Sequence, residues 1–400
     1  MARSRSSGNP GLLERIRAVP RLPVRDAEAH KGDFGRVLII GGSVGMAGAP
    51  ALAGLAALRA GAGLVTIAVP APVQPTVAGI CPCATTIPLP STAQGQIDPA
   101  ASVRLLRQRG ILPSRAGHST PAPPDVVAIG PGAGIGPASY ARRFRDMIDR
   151  FRNDAAIPVV LDADALNMMA FDRSGHAPTS ASSAEPRQPD RDESIVEEAA
   201  NQAEPRPSGS GSSRPPLPDC RGSADEAPAL SQPAGRHGGR PLPTTSPGLR
   251  TVITPHPGEL ARMHSLTTRE IQADREGIAV RTAIMMTEEA ATSPDHRSVV
   301  VLKGAGTIVT DGLRIYVNRT GNPGMATGGS GDVLTGILAA LIGQGLTRFD
   351  AAVLAVYLHG LAGDLGARRL GQMSLIATDI IDALPAAILT LRPATRRRRR

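Results

Sequence analysis

The feature that most restricts the fold is an apolar run followed by glycines, a helical pattern and a second apolar run, over residues 36–69. Residues 36–40 read Arg-Val-Leu-Ile-Ile, a continuous run that is typical of a parallel strand buried on both faces. The second run covers 64–69. Strand, glycine loop, helix and strand make a right-handed βαβ unit, so the pattern predicts a doubly wound α/β sheet.

The same alternation continues along the chain, and several predicted strands end in glycine or aspartate. Asp311-Gly312 between two short apolar runs is typical of a hairpin. Together these elements predict a three-layer α/β/α sandwich with a mostly parallel central sheet. The predicted strands are 125–129, 158–161, 251–253, 298–302, 308–310 and 314–317. The predicted helices are 140–151, 267–283, 351–363 and 377–389.

Composition divides the chain into segments. Residues 172–249 hold 13 of the 37 prolines and no Phe, Trp or Tyr, so they cannot bury enough apolar surface to offset their chain entropy. We therefore expect a disordered low-complexity insertion there, between two parts of one domain at 28–171 and 250–392. Residues 1–27 are expected to be a flexible N-terminal segment, and 393–400 a basic tail.

Charge and cysteine usage disfavour several classes of protein. The formal net charge is +9, but residues 396–400 are five consecutive arginines at the C-terminus without interleaved aromatic residues, which favours a solvated tail over a nucleic-acid-binding face. No run reaches the roughly 18 apolar residues that span a bilayer. Cys81, Cys83 and Cys220 lack the spacing of a metal site or a disulfide framework. We expect a cytoplasmic protein without nucleic-acid or membrane partners.

The clearest candidate site is the stretch 322–336, in which a glycine-rich loop leads into Asp332 and an apolar run with helical spacing follows. Such a loop at a helix start presents free N–H groups and the positive end of the helix dipole to an anion. A carboxylate at that position is a candidate general base. A glycine-rich turn with an aspartate helix cap is the alternative. The loop residues are Gly328, Gly329, Ser330 and Gly331.

Eight motifs occur in an order that resembles one enzyme family. They are residues 30–35, 41–49, 129–132, 162–166, 254–259, 303–307, 322–336 and 355–360. Together they resemble the ADP/ATP-dependent NAD(P)H-hydrate dehydratases, a branch of the ribokinase-like fold. The resemblance covers about 28–170 and 250–390, and it implies the single-activity form without the epimerase domain. The insertion at 172–249 departs from the family pattern.

The resemblance implies a lyase for metabolite repair, which converts the (6S) hydrate of NADH or NADPH back to the cofactor. ADP would be the co-substrate, giving AMP and phosphate, with ATP as the donor in other members, and Mg²⁺ would lie on the nucleotide phosphates near Glu259 or Asp162. A homo-oligomer is expected on the same ground. The hydrate contacts would be Ala49, Gly132, His256 and Asp332. The nucleotide contacts would be Lys303, Gly304, Ala305, Gly306, Thr307 and Gly331, and the phosphoryl charge would lie on Gly328, Gly329 and Ser330.

The residues alone leave alternatives open. A small-molecule kinase of the same fold would use the same Gly-Ser-Gly-Asp loop, and a non-catalytic nucleotide-binding module would keep the anion site. His256, between two prolines, also fits a surface loop, and Asp162 and Asp164 also fit a structural role at a strand end. Lys303 would either bind phosphate or pair on the surface. His359, on an apolar helix, is expected to be a packed core histidine.

Overall fold

The computed structural model describes residues 13–112, 123–154, 157–170, 251–287 and 294–391, and all of these belong to one compact unit. The expected insertion and basic tail lie outside the described residues. Within the described part, ten strands form a single sheet. They are β1 Glu14–Ile16, β2 Arg36–Ile40, β3 Leu64–Pro70, β4 Thr85–Leu89, β5 Val126–Ile129, β6 Val159–Leu161, β7 Thr251–Ile253, β8 Val299–Leu302, β9 Ile308–Thr310 and β10 Arg314–Val317.

The strand order is β1-β10-β9-β8-β7-β6-β5-β2-β3-β4. Every pairing is parallel except the two made by β9, which is antiparallel to both β8 and β10. The predicted mostly parallel sheet is therefore confirmed. Because β2, β5, β6, β7 and β8 run in one direction, the loops after them meet at one edge of the sheet, where open α/β sheets bind ligands.

Helices cover both faces of the sheet, which confirms the three-layer sandwich. Along β2, Val37 and Ile39 face one apolar core and Leu38 and Ile40 the other, as the two-residue period of a strand requires. Helices α1, α2, α9, α10 and α11 pack on the first core, and α3 to α8 on the second. The helices are α1 Gly48–Arg59, α2 Gln74–Ile80, α3 Pro99–Gln108, α4 Ala138–Asp149, α5 Asp164–Ala170, α6 Pro257–His264, α7 Thr268–Ala273, α8 Arg275–Met285, α9 Ser330–Gly343, α10 Arg348–Leu370 and α11 Ala377–Thr390. None of the helices in the described ranges is both long and apolar enough to cross a membrane.

The predicted helix at 267–283 is wrong in one respect, because it is two helices. Thr267 and Glu270 form the expected capping box at the start of α7. Asp274 then ends α7 with a φ of −139° and caps α8 by accepting the N–H of Gly277 at 2.9 Å. Aspartate competes with a continuing helix by making such local bonds, so the chain changes direction there.

Several further elements differ from the predictions. Within the N-terminal segment that was expected to be flexible, β1 pairs in parallel with β10, so that expectation is wrong for Glu14–Ile16. The hairpin after β9 has the predicted strand bounds, and Asp311 in its loop accepts the N–H groups of Leu313 and Arg314. Strand β4 and helices α2 and α3 were not predicted, and α10 is longer at both ends than 351–363.

Helix α9 lies unusually close to α1. A Cβ atom added to Gly336 of α9 would lie 2.1 Å from the carbonyl oxygen of Ala53 in α1. Only glycine permits this approach, which fixes α9 against its neighbour.

We expect Gly336→Ala to lower the free energy of unfolding by at least about 2 kcal/mol, because the new methyl overlaps a backbone atom that cannot move aside. The matched control is Gly79→Ala in α2, where an added Cβ meets no atom within 4 Å. That variant should be neutral or stabilised by up to about 1 kcal/mol, the helix preference of Ala over Gly. Denaturant unfolding measures both, and equal effects would contradict the close α1–α9 packing.

Candidate active site

The loops after β6, β7 and β8 continue the hydrogen-bond ladder of the sheet beyond its strands. Asp162, Thr254 and Lys303 each donate a backbone N–H to a carbonyl on the neighbouring strand or loop. The loops therefore stay at the spacing of adjacent strands, about 4.8 Å, and their side chains meet. The acceptors are Ile129 at 3.1 Å, Leu161 at 3.1 Å and Pro255 at 2.8 Å.

A buried ion pair joins two of these loops. Lys303 Nζ lies 2.7 Å from Asp162 Oδ1 and 3.8 Å from Glu259 Oε2, and Thr335 Oγ1 donates to Asp162 Oδ2 at 2.7 Å. Asp162 is 1% exposed. Burial alone would raise the pKa of Asp162, but Lys303 and the hydrogen bonds outweigh it and hold that pKa below its usual value. Lys303 thus pairs in the interior, not on the surface, and Asp162 is a charged partner rather than a strand-end cap.

The glycine-rich loop lies directly over this ion pair. A Cβ atom on Gly331 would lie 3.3 Å from Lys303 Nζ and 3.8 Å from Asp162 Oδ2. Helix α9 begins at Ser330, one of the residues that were expected to lie in the loop, and its N-cap is Gly329 with a φ of +86°. No side chain caps the helix, and Asp332 lies in its first turn, so the alternative of an aspartate cap is wrong. The first N–H groups of a helix have no carbonyl partner within it, which leaves them for an anion.

Asp332 and Glu259 are carboxyl groups that change protonation near neutrality. Burial raises the pKa of Asp332 to about 7, with a further contribution from the negative charge of Asp162. Burial likewise raises the pKa of Glu259 to about 7, although Lys303 opposes the shift. A carboxyl group with such a pKa is present in both forms at neutral pH, which suits a general base.

His256 is held as a neutral ring at the start of α6. Its Nδ1 accepts the backbone N–H of Gly258 at 3.0 Å and of Glu259 at 3.3 Å, so the ring proton is on Nε2. Burial and the nearby Lys303 lower the pKa of His256 to about 4. The half-exposed side chain therefore offers an N–H donor to a ligand and does not accept a proton near neutrality.

His359 is partly buried rather than fully enclosed in the core, and it contacts the anion loop. Its Nε2 lies 3.3 Å from Ser330 Oγ, and burial lowers its pKa to about 4. The stretch just before the loop is also tied to α10, because Asp364 accepts bonds from Gly321 and Asn322 at 2.9 and 3.0 Å. Helix α10 thus supports the loop from behind.

Two of the expected hydrate contacts, Ala49 and Gly132, lie apart from the expected nucleotide contacts, whereas His256 follows β7 beside the nucleotide loop. The residues expected to bind nucleotide, 303–307, follow β8. On the other side, a Cβ atom on Gly132 would lie 3.1 Å from the Cβ of Ala49, so these two expected hydrate contacts adjoin each other after β5 and β2. Asp164 accepts the N–H of Gly134 at 2.9 Å, which is the structural role considered for it.

Two residues of the site were not predicted as such. Thr335 lies inside the stretch 322–336, about one helical turn after Asp332. This spacing could have predicted that both side chains lie on the same face of the helix. Arg275, at the start of α8, donates to the carbonyl oxygens of Leu302 and Lys303 at 3.4 and 3.3 Å. No sequence pattern marks it, because the contact joins segments distant along the chain.

Comparison with known proteins agrees with this geometry. The family model for NAD(P)H-hydrate dehydratase matches residues 37–184 and 241–386. The bifunctional NAD(P)H-hydrate repair enzyme of Moorella thermoacetica is 37% identical over 96% of this chain and 54% of its own length. The chain thus spans about half the length of the curated relatives it matches.

Solved structures show the same fold. The ADP/ATP-dependent NAD(P)H-hydrate dehydratase from Bacillus subtilis, co-crystallized with ATP/Mg²⁺, is 25% identical with a TM-score of 0.57, over 93% of this chain and 95% of that one. A ribokinase-like superfamily protein from Enterococcus faecalis is 20% identical with a TM-score of 0.58, over 93% and 92% of the two chains. The ribokinase-like architecture predicted from the sequence is confirmed.

Lys303→Met would remove the cation between Asp162 and Glu259 and leave the buried carboxylates unpaired. We expect a loss of about 3–5 kcal/mol in the free energy of unfolding at pH 8. The loss should be smaller at pH 5, because unpaired buried carboxyls have raised pKa values and take up protons as the pH falls. Denaturant unfolding at both pH values tests this, with Lys303→Arg as the charge-conserving control. A loss that did not change with pH would contradict the role of the ion pair.

Proposed function

The chain belongs to the NAD(P)H-hydrate dehydratase family, and we propose that it removes water from the (6S) hydrate of NADH or NADPH. ADP is the phosphoryl donor, and AMP and phosphate are released. The observation that carries the proposal is Asp332, a carboxyl group with a pKa of about 7, next to free N–H groups at the start of α9 and above Lys303. The site thus combines a base with an anion-binding loop.

The first step is phosphoryl transfer to the hydroxyl group of the hydrate. The hydroxyl oxygen forms a bond to the terminal phosphorus of ADP, the bond from that phosphorus to AMP breaks, and Asp332 takes the hydroxyl proton. We assign the N–H groups of Gly328, Gly329 and Ser330 to the developing negative charge, which they would stabilise as an oxyanion hole does. The N–H of Ser330, which donates to the carbonyl of Thr327 at 3.4 Å, would turn towards the phosphoryl group. Lys303 adds a fixed positive charge below Gly331.

The second step is elimination of phosphate. The lone pair of the ring nitrogen expels the phosphate as the C6–O bond breaks. The departing phosphate then takes the C5 proton, which gives hydrogen phosphate and restores the double bond of the dihydronicotinamide ring. Hydroxide is a poor leaving group and phosphate a good one, which is why a donor is consumed. His256 Nε2–H donates to an acceptor atom of the hydrate, and Ala49 and Gly132 contact it further from Asp332.

Mg²⁺ fits this site as an ion carried on the nucleotide phosphates. In the described ranges, no three His, Cys, Asp or Glu side chains are grouped to hold a metal, but Mg²⁺ commonly binds phosphates, waters and one or two carboxylates. Glu259 is the better-placed carboxylate, because its Oε2 accepts the backbone N–H of His256 at 2.7 Å while its Oε1 lies 3.5 Å from His256 Nε2. Both oxygens of Asp162 are bonded more closely, to Lys303 and Thr335. When bound, the ion would neutralise phosphate charge.

The nucleotide side of the site is formed by the loop after β8. Lys303, Gly304, Ala305, Gly306 and Thr307 are the proposed contacts, together with Gly331. A Cβ atom on Gly304 would lie 3.0 Å from Arg275 Nη1. This adds a second positive charge to the side on which the phosphates are proposed to lie.

Two alternatives are less well supported. A kinase of the same fold would stop after the first step and accumulate a phosphate ester, whereas the family match and the His256 loop favour elimination. A non-catalytic nucleotide-binding module would have no need for a carboxyl group held near neutrality beside the anion site. We further propose a cytoplasmic location, for which the sparse cysteines are the support, and a homo-oligomer, for which the family resemblance is the support.

The assay that tests the proposal follows the near-ultraviolet absorbance of reduced nicotinamide, starting from hydrated NADH with Mg²⁺ and ADP, ATP or no nucleotide. We expect a rise with nucleotide only, faster with ADP, and stoichiometric release of AMP and phosphate. No rise with either nucleotide would contradict the dehydratase proposal. Accumulation of a phosphorylated hydrate without the rise would favour the kinase.

Asp332→Asn should lower kcat by about 10²- to 10⁴-fold, because the variant cannot take the hydroxyl proton. ADP affinity, measured by calorimetry, should change little. The matched control is Asp382→Asn, an exposed carboxyl on α11, which should keep full activity. Undiminished turnover in Asp332→Asn would remove the assignment of the base.

The pH profile provides an independent check on the same carboxyl group. Because the carboxylate form is the base, kcat/KM should fall as pH falls, with an apparent pKa near 7 that belongs to the coupled carboxyl groups. Burial is the main cause of the raised pKa of Asp332, and Glu259 adds to it. Glu259→Gln removes that contribution, so the fall in kcat/KM should occur at lower pH in this variant.

A further inference from the structure

A cavity of about 400 Å³ opens beside the expected hydrate contacts. Its volume falls within the range of roughly 300–1,000 Å³ found for small-molecule pockets. We call it the distal pocket. Its lining residues are Ser43, Val44, Gln94, Gln96, Ile135, Gly136 and Pro137.

Three loops at one edge of the sheet form the distal pocket and are bonded to one another. The N–H of Val44, after β2, donates to the carbonyl of Gly95, after β4, at 3.1 Å. The side chain of Gln96 donates to the carbonyl of Ile135, after β5, at 3.2 Å. These bonds hold the walls in place, so the pocket is a built feature of the fold.

The distal pocket adjoins the candidate site on the side of Gly132 and Ala49. Ser43 Oγ donates to the carbonyl of Gly132 at 3.0 Å, and Gly132 adjoins Ala49. Asp332 lies above Asp162 at the end of β6, and the nucleotide loop follows β8 on the other side. The distal pocket lies beyond β5 and β2, so at about 4.8 Å per strand it is roughly 10 Å or more from Asp332.

The substrate of the proposed reaction needs a second binding region at such a distance. The two bases of a dinucleotide are separated by two riboses and a pyrophosphate, so its adenine lies several strand spacings from the reacting ring. The β8 side is taken by ADP. The remaining direction leads over Gly132 to the distal pocket.

The lining suits an adenine base. Val44 and Ile135 are 61% and 53% exposed and present apolar surface to the flat faces of a heteroaromatic ring. A glutamine amide makes two hydrogen bonds to the N6 and N7 edge of adenine. The Gln96 amide nitrogen is bonded to Ile135, so Gln94, which is exposed, is the side chain placed to read that edge.

We propose that the distal pocket binds the adenosine half of the hydrated dinucleotide, an inference that rests on the proposed dehydratase function. None of the seven lining residues is charged, so the pocket offers no ion pair to a 2′-phosphate. The hydrates of NADH and NADPH should accordingly react with kcat/KM values within about threefold of each other, since a charge-assisted bond would be needed for stronger preference.

The first test compares hydrated NADH with hydrated reduced nicotinamide mononucleotide, which lacks the adenosine half. Binding energy from remote parts of a substrate raises kcat/KM, so the wild-type value should be at least about tenfold higher for the dinucleotide. If the protein turns over neither hydrate, both the proposed function and this inference fail. If it turns over both equally well, the function stands and the distal-pocket assignment is overturned.

The second test places a charge in the distal pocket. Val44→Asp and Ile135→Asp should each reduce the preference for the dinucleotide towards one, because a carboxylate replaces the apolar contact with adenine. The control is Val24→Asp, which changes a valine that is 94% exposed and lies outside the site, and it should keep the preference. Thermal unfolding checks that all three variants are folded. A full preference in both pocket variants would overturn the assignment.

The third test is a gain of specificity. Gln94→Arg adds a cation that can pair with a 2′-phosphate, as arginine does in NADP-binding sites. We expect kcat/KM for hydrated NADPH to rise relative to hydrated NADH by about tenfold, the effect of one added charge-assisted bond, and the gain to decrease at high salt. No change in the ratio would show that the adenosine half binds elsewhere.

Discussion

The ion pair between Lys303 and Asp162 is the interaction on which the site depends. Burying two charges costs desolvation free energy, and such a pair is weak evidence of stability by itself. Here it joins the loops after β8 and β6, and through Thr335 and Glu259 it reaches helices α9 and α6. Removing either partner would leave an unpaired charge beneath the anion loop. The ion pair therefore holds the two loops together and also sets the charge of the active site.

The parallel sheet sets where along its edge each ligand contact lies. Successive loops along one edge are held one strand spacing apart, so position along the edge is also position along a bound ligand. The proposed nucleotide contacts 303–307 follow β8, the hydrate contacts Ala49 and Gly132 follow β2 and β5, and His256 follows β7 between them. The nucleotide and the hydrate can thus both reach Asp332 while their other parts contact different loops.

The sequence was sufficient for the fold because its signals are local. Continuous apolar runs marked β2, β3 and β5 to β8, and the glycine-rich loop marked the region in which α9 begins. The contacts that set the chemistry are not local. Thr335 and Asp162 are 173 residues apart, and Lys303 and Asp162 are 141 apart, so the pairing and the raised pKa of Asp332 follow only from packing. The break at Asp274 was missed because its neighbours continue the helical pattern.

The short strand β1 has a consequence for how the protein is made. Glu14 pairs with Arg314 in register, so about 300 residues must leave the ribosome before this edge of the sheet can close. Contacts between such distant segments form late and slow folding. During synthesis the nascent chain would hold β1 unpaired while elements on the β2 side assemble, and β10 would pair with β1 before helices α9 to α11, which follow it in the chain, complete the core.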